Sequence, residues 1–377
     1  MPYITVRQRT EFRQITFEEL ILGIAPAPTR KHTSKGGTIT RYVRNVDPSI
    51  RATVNMNALI SSLERFNNLH QNLFDAKRES LYRTFYIPKK TGGLRRIDAP
   101  NDELMDALRE LKTIFTDQFG ALHHTSAFAY VENRSPVDAI KRHQVNGSRW
   151  FLKTDFSNFF GSTTEDFLYT MVSMIFPFSE VIKSRVGKEE LKKALSLCFL
   201  NGGLPQGTPI SPMLTNLMMI PFDHKFCNEL SKKGFVYTRY ADDIQISNEF
   251  DFNYHEIVQY ISDTLKSQHA PFVIKPQKTR YGSSSGRNWN LGVMLNKEGD
   301  ITVGHEKKKV FKAMVNNFIV DTLRCVPWSI EDVRHMDGLL SYYKMVEPDY
   351  FDHIIKSFNE KYKVDYHTMV RAVLKGK

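Results

Sequence analysis

Asp242 and Asp243 stand side by side between two apolar runs, in Phe235-Val-Tyr-Thr-Arg-Tyr-Ala-Asp-Asp-Ile-Gln-Ile-Ser247. Residues alternate on both sides of the pair, Val236, Thr238 and Tyr240 before it and Ile244 and Ile246 after it. The segment therefore reads as a β-hairpin with two carboxylates at its tip. Acids in a turn are ordinary, but two like charges braced by apolar strands are costly, and a divalent cation is the natural compensation. A second apolar strand, Phe151-Leu-Lys-Thr-Asp-Phe156, also ends in an acid, Asp155. Laid side by side, such strands bring Asp155 and Asp242 together, where their oxygens can hold two magnesium ions about 3.5–4 Å apart. That arrangement suits phosphoryl transfer, in which positioning and charge neutralisation supply most of the rate.

The remaining elements are mixed. Leu81–Ile87 and Arg95–Ala99 predict another hairpin, with a Pro88 stop, a Gly92-Gly93 turn and a basic tip. Asn101 caps a helix with Asp102 and Glu103 in its first turn and Leu104, Leu108, Leu111, Ile114 and Phe115 along one face. Helical stretches around 188–200 and 212–230 separate the two acidic strands, without the strict alternation of a doubly wound parallel sheet. Further on, Val310, Phe311, Met314, Val315, Phe318 and Ile319 form a packing stripe beside Lys307, Lys308, Lys309 and Lys312. Such a lysine run is usually a solvated face, and it would equally suit the passage of a nucleic-acid backbone. The first 75 or so residues are the least informative, and Thr29–Gly37 reads as a mobile basic loop.

At 377 residues the chain exceeds what one core usually organises, so two or three subdomains are expected. The formal net charge of +11 attracts a polyanion, though charge alone identifies no partner. Cys198, Cys227 and Cys325 lack ligand spacing, which argues against a zinc site or a disulfide framework. The first residues carry no apolar core for export, and no apolar run approaches the ~20 residues that span a bilayer. A cytoplasmic protein with no membrane partner is expected.

Three segments resemble the palm motifs of reverse transcriptases, in that family's order: Asp155 followed by Phe159-Phe160, Gly203-Leu-Pro-Gln-Gly-Thr-Pro-Ile-Ser-Pro-Met-Leu-Thr-Asn216, and Tyr240-Ala-Asp-Asp243. The second is similar to the form found in bacterial retron enzymes. Ile87-Pro-Lys-Lys-Thr-Gly-Gly-Leu-Arg-Arg-Ile97 is similar to the fingers hairpin of retron and group II intron enzymes, and Ala127–Ser135 with Asp138-Ala139 and His143 to the motif that follows it. There Asn133 replaces a glycine, as the residue that best tolerates a left-handed turn. Asn290-Leu-Gly-Val-Met-Leu-Asn296 resembles the primer grip in its group II form rather than the Val-Thr-Gly commoner in retrons.

The resemblance covers roughly residues 81 to 350. It implies an α+β right-hand polymerase fold: an N-terminal extension over 1–75, fingers over 76–150, palm over 151–285 and thumb over 286–377, with no appended nuclease or maturase domain. It implies RNA-directed DNA synthesis with two Mg2+ ions, for which Mn2+ substitutes, held by Asp155, Phe156, Asp242 and Asp243, and Lys278 as the proton donor to pyrophosphate. Lys89 and Arg95 would grip the triphosphate, with Lys90 and Arg96 as substitutes. Phe160 would exclude a 2′-hydroxyl and Gln206 would contact the nucleotide, in a loop whose glycines let backbone approach the base pair. Arg134, Leu291 and Gly292 would meet template or primer. The implied partners are dNTPs, a structured noncoding RNA template and an RNA/DNA duplex, with an accessory effector protein or a homo-oligomer left open. An anti-phage role follows for a stand-alone enzyme of this kind. An RNA-dependent RNA polymerase and a non-catalytic RNA-binding scaffold on the same fold are the alternatives.

Overall fold

The computed structural model describes residues 27–32, 38–43, 56–89, 92–117, 122–284, 292–296 and 298–375. Near the start, β1 (Ala27–His32) pairs antiparallel with β2 (Thr38–Val43). Thr29–His32 thus lie in a strand rather than in the expected loop, and residues 33–37 fall outside the described residues.

The architecture is α+β. β3 (Tyr82–Pro88) and β4 (Leu94–Pro100) form a two-stranded ribbon with Ile87 opposite Arg95 and Tyr86 opposite Arg96. Its turn needs residues at positive φ, supplied by Gly92 (86°) and Gly93 (79°). The ribbon is exposed along most of its length and enters the body only at Asp98 and Pro100. Asn101 then accepts a hydrogen bond from the Leu104 amide at 2.9 Å and starts the Asp102–Asp117 helix. That helix buries Leu104, Leu108, Leu111, Ile114 and Phe115, the expected face.

A four-stranded antiparallel sheet is the centre of the molecule. It is built from β5 (Trp150–Asp155), β6 (Val236–Tyr240), β7 (Asp243–Asn248) and β8 (Arg280–Ser283), in the order β6-β7-β5-β8. Tyr237, Thr238 and Arg239 are all buried, as are Ile244 through Ser247. Alternation in the sequence therefore does not translate into one wet face. β9 (Met294–Leu295) and β10 (Ile301–Thr302) make a further small pair.

Two hydrophobic cores flank the sheet. The first runs from Leu59 to Ile274 and gathers most of the helices before residue 270. The second is built from Val293, Leu295, Val303 and the helices His305–Leu323, Ile330–Val346, Pro348–Tyr362 and Tyr366–Leu374. Neighbouring side chains of one strand point to opposite faces, so Leu152 enters the first core while Phe151, with Ile140, enters the second.

In the His305–Leu323 helix, Phe311, Val315, Phe318 and Ile319 are buried and Met314 partly so, but Val310 is 61% exposed. The buried stripe is narrower than the apolar pattern, and Val310 falls off its edge. The lysine run is divided as well. Lys307 bonds the Gly292 carbonyl and Lys308 the Glu347 carboxylate, leaving Lys309 and Lys312 exposed.

Candidate active site

The strand register brings the acids together. β5 and β7 pair so that Asp155 faces Asp243, and Ala241-Asp242 form the hairpin tip, where the Asp242 carbonyl accepts from the Phe156 amide at 3.2 Å. Burial and then the facing Asp155 push the Asp242 carboxyl up to about 6, and Asp243 adds to the effect. Burial also raises Asp243, opposed by Lys153, whose Nζ lies 3.4 Å from its Oδ1. Asp155 is almost fully buried, and its Oδ2 accepts from Lys278 Nζ at 2.7 Å. Its Oδ1 accepts no hydrogen bond among the described residues, and Lys275 Nζ stays at 3.6 Å. Burial lowers the Lys278 ammonium, but the bond to Asp155 outweighs it and the net shift is upward. Among the described residues no three His, Cys, Asp or Glu side chains already form a ligating cluster; lysines sit on the carboxylates instead. A buried carboxylate oxygen lacking a hydrogen bond, beside an acid that resists ionisation, is a donor set suited to a hard divalent cation.

The hairpin tip is held from beneath. Ala241 has φ 58°, a left-handed backbone that a β-carbon disfavours. Its carbonyl accepts from Arg239 Nη1 at 3.0 Å. Arg239 is completely buried, paired through Nε and Nη2 with Asp223 at 2.7–3.2 Å, and Tyr237 donates to the same carboxylate at 2.7 Å. Asn216 accepts from Arg239 at 3.3 Å and donates to the Ala129 carbonyl at 2.8 Å. Behind the hairpin, buried His143 bonds Ser247 at 2.6 Å and Thr238 at 2.8 Å, tying β6 to β7. Burial, helped by Arg142, lowers the His143 imidazole to about 3, so the ring is neutral.

On the nucleotide side, Lys89 and Arg95 are exposed on the β3–β4 ribbon. Arg96 instead donates to Asp98 at 2.9 Å, and Thr84 bonds the same oxygen at 2.6 Å, while Lys90 lies outside the described residues. Among the three neighbouring phenylalanines, Phe156 and Phe159 are buried and stacked at 5.5 Å, and only Phe160 is partly exposed. Gln206 is half-buried, and its carbonyl accepts from the Asp98 amide at 2.8 Å. Its loop packs closely on protein backbone: a β-carbon on Gly207 would stand 2.8 Å from the Asp98 carbonyl oxygen.

Arg134 Nη1 is spent on the carbonyls of His124, Thr125 and Ala127 at 3.3, 3.0 and 2.6 Å, pinning its own loop. Asn133 adopts the left-handed conformation expected of it, φ 58°. Gly292 has φ 88° and abuts the Tyr342 hydroxyl; Leu291 lies outside the described residues. Burial and then Tyr240 raise the Tyr342 phenol.

Sequence reasoning missed Arg239 and Asp223, although a charged residue between apolar strand positions was a visible signal. It also missed Lys153, Lys275 and the strain at Tyr130, whose φ is 58° and whose ring is 57% exposed. Among the described residues no helix is long and apolar enough to cross a membrane.

Comparison with known proteins adds the following. The family described as "Reverse transcriptase (RNA-dependent DNA polymerase)" matches residues 87–310. The chain is 26% identical over 301 residues to the Retron Ec83 reverse transcriptase of Escherichia coli, covering 76% of this chain and 90% of that protein. It is 26% identical over 286 residues to the Retron Ec73 reverse transcriptase of the same species, covering 74% and 87%. Among solved structures it is similar to apo telomerase from Candida Tropicalis truncated from its C-terminal domain, at 14% identity and a TM-score of 0.44. That match covers 60% of this chain, which spans only 55% of the telomerase chain.

Proposed function

The chain belongs to the reverse transcriptase (RNA-dependent DNA polymerase) family, and on that premise we propose that Asp155, Asp242 and Asp243 form a two-metal nucleotidyl-transfer site that copies a dedicated noncoding RNA into cDNA. The observation that carries this reading is the β5–β7 register, which sets Asp155 opposite Asp243 with Asp242 at the adjoining tip. Two Mg2+ ions, or Mn2+ in their place, fit the hydrogen-bond-free Asp155 oxygen and the raised Asp242 carboxyl, with Phe156 contributing beside them. When bound, they activate a primer 3′-hydroxyl and neutralise the departing pyrophosphate.

The chain's own residues do the rest. Arg95 and Lys89 draw in the triphosphate, since their exposed side chains form no hydrogen bond or ion pair among the described residues. Phe160 rejects a 2′-hydroxyl, supported by its exposure beside two buried rings. Gln206 contacts the incoming nucleotide, and Lys278, released from Asp155, gives the Nζ proton to pyrophosphate. Arg134 acts on the template side by holding its loop, and Gly292 with Leu291 meets the primer. The second core supports a thumb over 286–377, against palm over 151–285, fingers over 76–150 and an extension over 1–75. The relatives named as retron reverse transcriptases support the reverse-transcriptase reading. A structured RNA partner and a role in anti-phage defence belong to the proposal, from the resemblance of the motifs to those of stand-alone retron-type enzymes.

Primer extension on an RNA template tests the chemistry. DNA synthesis from dNTPs that Asp242→Asn abolishes is expected. Efficient use of NTPs would make the protein an RNA polymerase, and undiminished synthesis by Asp242→Asn would leave a scaffold. Sequencing the nucleic acid that copurifies tests the template, and a covalent RNA–DNA branch is the expected retron-type product.

A further inference from the structure

The loop between Leu200 and Gly207 touches the turn that carries Phe160 with almost no space between them. A β-carbon on Gly203 would stand 2.3 Å from the Gly161 carbonyl oxygen and 2.9 Å from its Cα, distances that real side chains do not tolerate. Hydrogen bonds fix the contact: the Leu204 amide donates to the Phe160 carbonyl at 3.0 Å, and Gly203 exchanges bonds with Leu200 at 3.0 and 3.1 Å. Asn158, with φ 47°, closes the turn from its other side, its Oδ1 2.7 Å from where a β-carbon on Gly161 would be. Phe159 anchors the turn against Phe272 at 5.1 Å, and the Phe160 ring, packed edge-on against Phe159 at 5.8 Å, stays partly exposed. At its far end the same loop bonds β4, through the Gln206 carbonyl and the Asp98 amide.

We propose that Gly203 is a positioning residue for sugar selection: by having no side chain it sets how deeply the Phe159–Ser162 turn seats, and thereby where the Phe160 ring stands. Rejection of a ribonucleotide then depends on the backbone contact between Gly203 and Gly161 as well as on the ring. The inference rests on Phe160 acting as the sugar gate.

The test uses the full chain on a poly(rC) template with an oligo(dG) primer, so that dGTP and GTP differ only in the 2′-hydroxyl. The readout is the ratio of their kcat/KM values, which is independent of the fraction of active enzyme. Gly203→Ala is expected to lower that ratio by about tenfold or more, as Phe160→Ala does, because a gate displaced by a fraction of an ångström loses its close fit. If Phe160→Ala lowers the ratio while Gly203→Ala keeps the wild-type value, this inference fails and the gate stands. If Phe160→Ala leaves the ratio unchanged, the gate reading itself fails. Should Gly203→Ala not fold, Gly161→Ala carries the test: its β-carbon crowds the same turn, and the three atoms nearest to it all belong to the Asn158 side chain. A wild-type ratio in that variant overturns the inference.

Discussion

Asp242 follows an alanine in the left-handed region, and the residue that holds that alanine is an arginine with no access to solvent. Removing one partner of such a pair strands the other charge in the interior, at a cost of about 3–5 kcal/mol. Arg239→Met is therefore expected to lower the urea midpoint sharply, with Arg239→Met/Asp223→Leu recovering most of it, since the orphaned carboxylate is gone. If the single variant is as stable as the wild type, the pair is not structural. His143 gives a pH signature. Its folded pKa, about 3, lies below the ordinary value of 6.5, so between these the unfolded chain binds a proton that the folded chain does not. Stability from this group is full above pH 6.5 and is lost as the pH falls towards 3, by on the order of a few kcal/mol. Urea titrations at pH 7 and pH 5 should show the drop, and His143→Gln should flatten it.

At the scale of elements, the β3–β4 ribbon gives a comparison between neighbours. Arg95 projects into solvent while Arg96 is tied to Asp98. Arg95→Ala is expected to raise the KM for dNTPs about tenfold or more with kcat little changed, as loss of a charge-assisted bond implies. Arg96→Ala should leave KM near the wild-type value; equal effects from both would refute the assignment. The ribbon, the Asn101-capped helix and the acidic hairpin were all legible in the sequence, because each is written in local signals: glycine turns, a cap residue, apolar periodicity. What was not legible depends on long-range packing. The burial of every residue from Ile244 to Ser247 comes from covering on both faces of the sheet, the exposure of Val310 from how the helices of the second core meet, and the lysines on Asp155 and Asp243 from segments far apart in the chain. The close backbone contacts of Gly203 and Gly207, with Gly161 and with Asp98, were not legible either, because both partners lie far away in the sequence.

For the whole molecule, a net charge of +11 makes association with nucleic acid a matter of counterion release. Binding of an RNA/DNA duplex should weaken linearly with the logarithm of salt concentration. Lys309→Ala/Lys312→Ala should reduce the slope by about one to two, since each lysine removed leaves one phosphate with its counterions. An unchanged slope would place those exposed lysines away from the duplex.

β5 gives one flank to each core, Leu152 to the first and Phe151 to the second. The two halves of the chain thus share a wall. A protein cut short after residue 284 would bare Phe151 and Ile140 to water, and the expected product is a sticky fragment recovered from the insoluble fraction, not a smaller working polymerase.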